Sequence, residues 1–138
     1  IDFVNIFARG KIKKIIKVDK INKKNLLKEG VISCKLLFSS GDIVYYFCFW
    51  NRPAPWSLEI STKNNFLQLK PIEEFSYLES KSRKWVKTPT SANDIRHKPG
   101  IYLQLVEVFS FFKERKTKLK SLDYSNKLMK LIRDIYFD

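Results

Sequence analysis

VISCKLLFSSGDIVYYFCFW, residues Val31–Trp50, reads as two long strands joined by a tight turn at Ser39–Asp42. Gly41 supplies the positive φ that such a turn needs. With Phe38 facing Ile43, the residues Ile32, Cys34, Leu36 and Phe38 share a face with Phe49, Phe47, Tyr45 and Ile43. That face is almost wholly apolar and is expected on the core. The other face pairs Val31 with Trp50, Ser33 with Cys48, Lys35 with Tyr46 and Leu37 with Val44. It is mixed, yet too apolar to be left in water. A sheet apolar on both sides has helices on one side and a second cover on the other. The expected cover is another protein chain or domain, seated on Lys35, Leu37, Val44, Tyr46 and Cys48. Tyr46→Lys is then expected to weaken association and leave the fold intact.

Outward from the hairpin, Ile1–Ala8 reads as the end of a helix, with Gly10 just past its C-terminus. Lys11–Val18 reads as a strand near one edge, where lysine discourages stray pairing. Asp19–Gly30 is a lysine-rich connection with room for one helical turn. Pro53 and Pro55 stop the pairing after Trp50. Trp56–Ser61 and Phe66–Lys70 form a second hairpin around Thr62–Asn65, and Phe75–Glu79 and Lys84–Thr88 two weaker strands. Thr90–Arg96 reads as a polar loop, and Pro99 as the first residue of a helix. Ile101, Tyr102, Leu105, Val108, Phe109 and Phe112 recur at helical spacing, ending near Lys113–Lys116. Ser121 is the N-cap of a last helix, whose buried stripe is Leu122, Leu128, Leu131, Ile132 and Ile135. Strands grouped before helices predict an α+β fold: an open, mostly antiparallel sheet with helices on one face, in a single domain over 1–138.

The chain has 138 residues, enough for one core, and opens on Ile1 instead of Met. A processed product or a fragment is therefore expected. No apolar run is long enough to span a bilayer and no signal-peptide pattern is present, so no membrane partner is expected. Cys34 and Cys48 point to opposite faces in the register above, which argues against a disulfide and for a reduced, cytoplasmic protein; a one-residue shift of the turn would instead set them opposite each other, so this reading depends on the turn. The net charge of +13 fits a nucleic-acid binder or a merely solvated lysine-rich surface. The lysines are spread over several segments and thicken at Lys11–Lys28 and Lys113–Lys120, which favours the solvated surface.

The four glycines are isolated, so no phosphate loop is present. No Cys or His cluster has metal-ligand spacing. His97 is the one histidine, so a His-based triad would rest on it alone. Glu73 and Glu74 are adjacent and read as solvated surface. By residue chemistry alone the chain is not a complete enzyme. The candidates for contact with a bound anion or sugar are His97 and Lys98, at a loop-to-helix junction with free backbone N–H groups, and Arg52, before Pro53. For each, a plain surface or capping role is the simpler alternative. Trp56 and Tyr102 read first as core and second as ligand platforms.

Four stretches in order carry a resemblance. IDFVNIFARG, Ile1–Gly10, resembles the helix after the HxxD motif of Gfo/Idh/MocA-type oxidoreductases, with Asp2 at the motif's Asp. FWNRPAPWSLEISTKNNFLQLKPIEE resembles that family's central strands. HKPGIYLQLVEVF resembles the start of its late helix, and SLDYSNKLMKLIRDIY its closing helix. The resemblance covers nearly the whole chain. It implies the C-terminal domain of an NAD(P)-dependent dehydrogenase acting on a sugar or nucleotide-sugar hydroxyl. Such a domain shapes the substrate pocket, with Arg52, His97, Lys98 and Tyr102 as candidate contacts, and forms the oligomer interface. NAD or NADP, the catalytic Lys and the catalytic His would belong to a Rossmann part outside these residues, leaving this chain with no cofactor and no activity by itself. The competing readings are a basic module for nucleic acid or an acidic partner, and a purely structural dimerisation domain.

Overall fold

The computed structural model describes residues 1–21, 24 and 30–137. Among these, the order is α1 (Asp2–Phe7), β1 (Ile12–Ile21), β2 (Val31–Phe38), β3 (Ile43–Phe49), β4 (Leu58–Ser61), β5 (Asn65–Leu69), β6 (Phe75–Glu79), β7 (Val86–Lys87), α2 (Ala92–Arg96), α3 (Ile101–Glu114) and α4 (Leu122–Tyr136). Every strand ladder is antiparallel. Helices with open antiparallel sheets make the fold α+β, as the element order predicts. The strands divide into two sheets, β1–β2–β3 and β4–β5–β6–β7. The chain divides likewise into two compact units, Ile1–Ala54 with Ser121–Asp138, and Pro55–Lys120. The predicted helical turn within Asp19–Gly30 falls mainly outside the described residues.

In the first unit the central hairpin closes one residue earlier than Phe38 facing Ile43. Phe38 donates its N–H to the Asp42 carbonyl at 2.9 Å, and Gly41 donates to the Phe38 carbonyl at 3.0 Å. The loop is therefore the three residues Ser39–Gly41, with Gly41 at φ 89°. Such a loop, with its left-handed glycine, sets Leu37 opposite Ile43. Because side chains alternate, this single step turns every residue of β3 to the face opposite its predicted one. Ile32, Cys34, Leu36 and Phe38 are buried as expected. Their neighbours on the core side are Val44, Tyr46 and Cys48. Ile43, Tyr45, Phe47 and Phe49 face outward instead.

Both helices of this unit contribute to the same core. Val4 of α1 and Ile135 and Tyr136 of α4 are buried with the β2 residues, and Leu131 and Ile132 pack beside them. Ile32, Leu36 and Ile135 are wholly excluded from water, each contributing about 1.5–3 kcal/mol of transfer free energy. The α4 stripe is as predicted at Leu131, Ile132 and Ile135, whereas Leu122 is exposed. Ser121 caps α4 as predicted, its hydroxyl accepting the Tyr124 N–H at 3.2 Å. The hairpin loop is clamped to the α1–β1 connection: Arg9 bonds Asp42 at 2.6 Å, and the Ser40 hydroxyl donates to the Arg9 carbonyl at 2.6 Å. Between them Gly10 has φ 77°, and a Cβ there would lie 2.4 Å from Ser39 Oγ.

The second unit is built on β4–β7. Leu58 and Ile60 of β4 pair with Leu69 and Leu67 of β5. The stretch expected to be a polar loop forms the short helix α2, because the Ser91 hydroxyl accepts the Asp94 N–H at 3.2 Å. Pro99 lies before α3 and not in it: Gly100, at φ 79°, is the N-cap and Ile101 the first helical residue. Arg115 ends α3 in a left-handed conformation, its N–H bonding the Phe111 carbonyl. The predicted apolar stripe of α3 is exposed, with Phe109 and Phe112 near 70 %. Trp56, expected in the core, is 80 % exposed. Among the described residues no helix is long and apolar enough to cross a membrane.

Candidate functional site

Two surfaces carry chemistry in the first unit. The outer face of β1–β2–β3 presents Ile43, Tyr45, Phe47 and Phe49 from β3, all 44–62 % exposed, with Leu37 and Lys35 from β2 beside them. Lys35 Nζ sits 5.4 Å from the centre of the Tyr45 ring, a cation–π contact. Toward β1 the face becomes polar, where the Ser33 hydroxyl meets Asp19 at 3.4 Å. Of the five predicted interface residues, Lys35 and Leu37 lie on this outer face. Val44, Tyr46 and Cys48 do not; the three-residue loop turns them to the core.

Beneath β3 lies a polar cluster within the apolar core. The hydroxyls of Tyr46 and Tyr136 are 2.7 Å apart. Burial pushes Tyr46 up to about 12, and burial also raises Tyr136, with Cys48 and Tyr46 adding to it. Both hydroxyls therefore stay protonated near neutrality. Cys34 and Cys48 share this side and are both free thiols, which corrects the expectation of opposite faces. In the register, Cys34 faces Tyr46 and Cys48 faces Ile32, so the two sulfurs occupy diagonal positions. Burial raises Cys34, which keeps its thiol un-ionised and a poor nucleophile. Asp2 accepts a hydrogen bond from the Tyr124 hydroxyl, which ties α1 to α4.

In the second unit, Gln68 of β5, Ser76 of β6 and Lys87 of β7 stand opposite one another in one row across the sheet. With Lys70, Glu74, Phe75 and Thr88 they line an open cavity of about 510 Å³. An amide, hydroxyls, two ammonium groups, a carboxylate and an aromatic ring thus meet at one surface, with the Gln68 amide already donating to Glu59 at 3.0 Å. Sequence reasoning missed this row. Its members lie on three strands and meet only through pairing, with no spacing signal to mark them.

The predicted contacts His97, Lys98 and Tyr102 are brought together at the start of α3. The His97 and Tyr102 rings stack at 6.3 Å and 11°. The Gly100 N–H, however, already donates to Asp94 Oδ1 at 2.9 Å, and this bond lowers the Asp94 carboxyl below its ordinary range. A carboxylate of the chain itself thus occupies the place an anion would take. None of His97, Lys98 and Tyr102 lines the cavity. Arg52 belongs to the first unit, in the exposed bend after β3. Among the described residues no group of three or more His, Cys, Asp or Glu could hold a metal ion.

No protein-family model, curated protein or solved structure matches the chain.

Proposed function

We propose that this chain serves as the substrate-side and assembly-forming domain of a Gfo/Idh/MocA-type oxidoreductase acting on a sugar or nucleotide-sugar hydroxyl. The observation that carries the reading is the layering of the first unit. The stretch resembling the HxxD helix and the stretch resembling the closing helix pack on one side of the same hairpin sheet. The other side is left apolar and exposed, as a domain that covers its sheet by self-association needs. The polar row Gln68–Ser76–Lys87 adds a surface whose amide, hydroxyl and ammonium groups suit sugar hydroxyls.

The chain's own residues do not fit the dinucleotide. Its four glycines are isolated, and the N-terminus of α3 is closed by Asp94. No step of hydride transfer is therefore assigned to any residue here. NAD or NADP and the proton-accepting base belong, in this reading, to a Rossmann domain encoded outside these 138 residues. Reading the coding sequence upstream of the Ile1 codon tests it. The reading expects a histidine codon two positions earlier and, further upstream, a βαβ region bearing G-x-G-x-x-G. An upstream sequence that encodes neither contradicts it.

A further inference from the structure

The two edges of the β1–β2–β3 sheet are defended unequally. β1, IKKIIKVDKI, carries four lysines and an aspartate, and its register is broken twice, between Ile12 and Lys14 and between Ile15 and Lys17. Charge and bulges are the standard means of keeping an edge from pairing. β3, IVYYFCF, has no charged residue, no proline and no break in register. Among the described residues no strand pairs with its outer edge.

The hydrogen bonds of the hairpin show which groups that edge presents. Phe38 donates to the Asp42 carbonyl at one end and Trp50 to the Gly30 carbonyl at the other. An antiparallel ladder alternates, so Val44, Tyr46 and Cys48 turn their N–H and C=O groups to β2. Ile43, Tyr45, Phe47 and Phe49 turn theirs away from it. The outward main-chain groups thus belong to the same residues whose side chains stand on the exposed outer face.

From this we infer that β3 pairs, antiparallel, with β3 of a second copy, joining two three-stranded sheets into one of six strands. Pairing about Tyr46 sets Ile43 opposite Phe49 and Tyr45 opposite Phe47 at hydrogen-bonded positions. Val44 then faces Cys48, and Tyr46 its own counterpart. Every side chain keeps its face, so apolar residues meet apolar residues on both sides of the seam. This self-complementarity along one strand selects a second copy of the chain. Each chain carries +13, yet β3 itself brings no charged side chain to the seam; the nearest, Lys35, lies one strand back over the Tyr45 ring, and β1 lies two strands away. The inference rests on the first unit alone and needs no oxidoreductase reading.

Hydrogen exchange, read amide by amide on the full chain over a range of concentrations, tests it. The amides of Tyr45 and Phe47 are expected to gain protection in step with dimer formation. Dimers in which these amides exchange freely would overturn the inference. So would a chain that stays monomeric throughout, or protection already complete in the monomer. Sedimentation of two variants separates edge from face. Phe47→Ala keeps the outward N–H and Phe47→Pro removes it, without touching the bonds to β2. The dimer of the proline variant is expected to dissociate roughly tenfold more readily than that of the alanine variant. Equal dissociation constants would place the contact on the side chains of the face and not on the edge.

Discussion

The Tyr46 and Tyr136 hydroxyls meet at 2.7 Å and fasten the central hairpin to the last helix across 90 residues of sequence. This bond holds only because the hairpin loop is three residues long. One residue more in the loop would turn Tyr46 to water.

Removing either hydroxyl, by Tyr46→Phe or Tyr136→Phe, is expected to cost about 1 kcal/mol, measured by denaturant unfolding. The double variant should lose less than the sum of the two, since each hydroxyl is the other's partner. The pH dependence follows from burial, which raises Tyr46 from 10.0 to about 12 and raises Tyr136 as well. A raised folded-state value means that the unfolded chain releases its protons first. Stability is therefore whole below pH 10 and falls as pH rises from 10 through about 12. In the double Phe variant that loss should shrink.

Arg9 and Asp42 form an exposed clamp, and the Arg9 hydrogen bonds hold the Asp42 carboxyl down at about 2. Its contribution is present above the ordinary carboxylate value of 3.8 and lost as pH falls toward 2. An NMR titration of the Asp42 carboxyl should show the low midpoint in the wild type. In Arg9→Ala the midpoint should return toward the ordinary range.

Gly10 is required twice, by its φ of 77° and by the Ser39 hydroxyl lying where a Cβ would go. Gly10→Ala is expected to destabilise the first unit by about 1 kcal/mol or more in thermal unfolding. The double variant Gly10→Ala/Ser39→Ala should recover part of the loss, because the steric clash goes while the backbone strain stays.

Much of the fold could be read from particular residues. The alternation in Val31–Trp50 marks two strands, Ser121 marks the start of α4, and Leu131, Ile132 and Ile135 mark its buried face. What the pattern does not contain is loop geometry. SSGD accommodates a three-residue loop or a four-residue one, and β3 is apolar on both faces, so its hydrophobic pattern does not choose the register. Tyr46→Lys, expected from sequence to spare the fold, is now expected to break it, because Tyr46 faces the core. The candidate site was less legible. His97 and Tyr102 do meet, but Asp94 closes the helix end they flank, and the row Gln68–Ser76–Lys87 exists only through strand pairing.

The proposed role separates from that of a basic binding module in one titration series. Calorimetry of the chain with NAD and with NADP is expected to show no binding, since the four glycines are isolated and no glycine-rich phosphate loop is encoded. Binding to nucleic acid is expected to be weak and indifferent to sequence. Tight polyanion binding that falls steeply with salt, by release of counterions, would favour the basic module.

The β1–β2–β3 sheet is clad by helices on one side, and Ile43, Tyr45, Phe47 and Phe49 stand exposed on the other. Sedimentation velocity over a range of concentrations, on the wild type and Tyr45→Lys, tests this most directly. The wild type is expected to associate with rising concentration, and the variant to remain folded by circular dichroism but monomeric. A wild type that stays monomeric at the highest concentration reached, or a Tyr45→Lys variant that associates as strongly as the wild type, would contradict it.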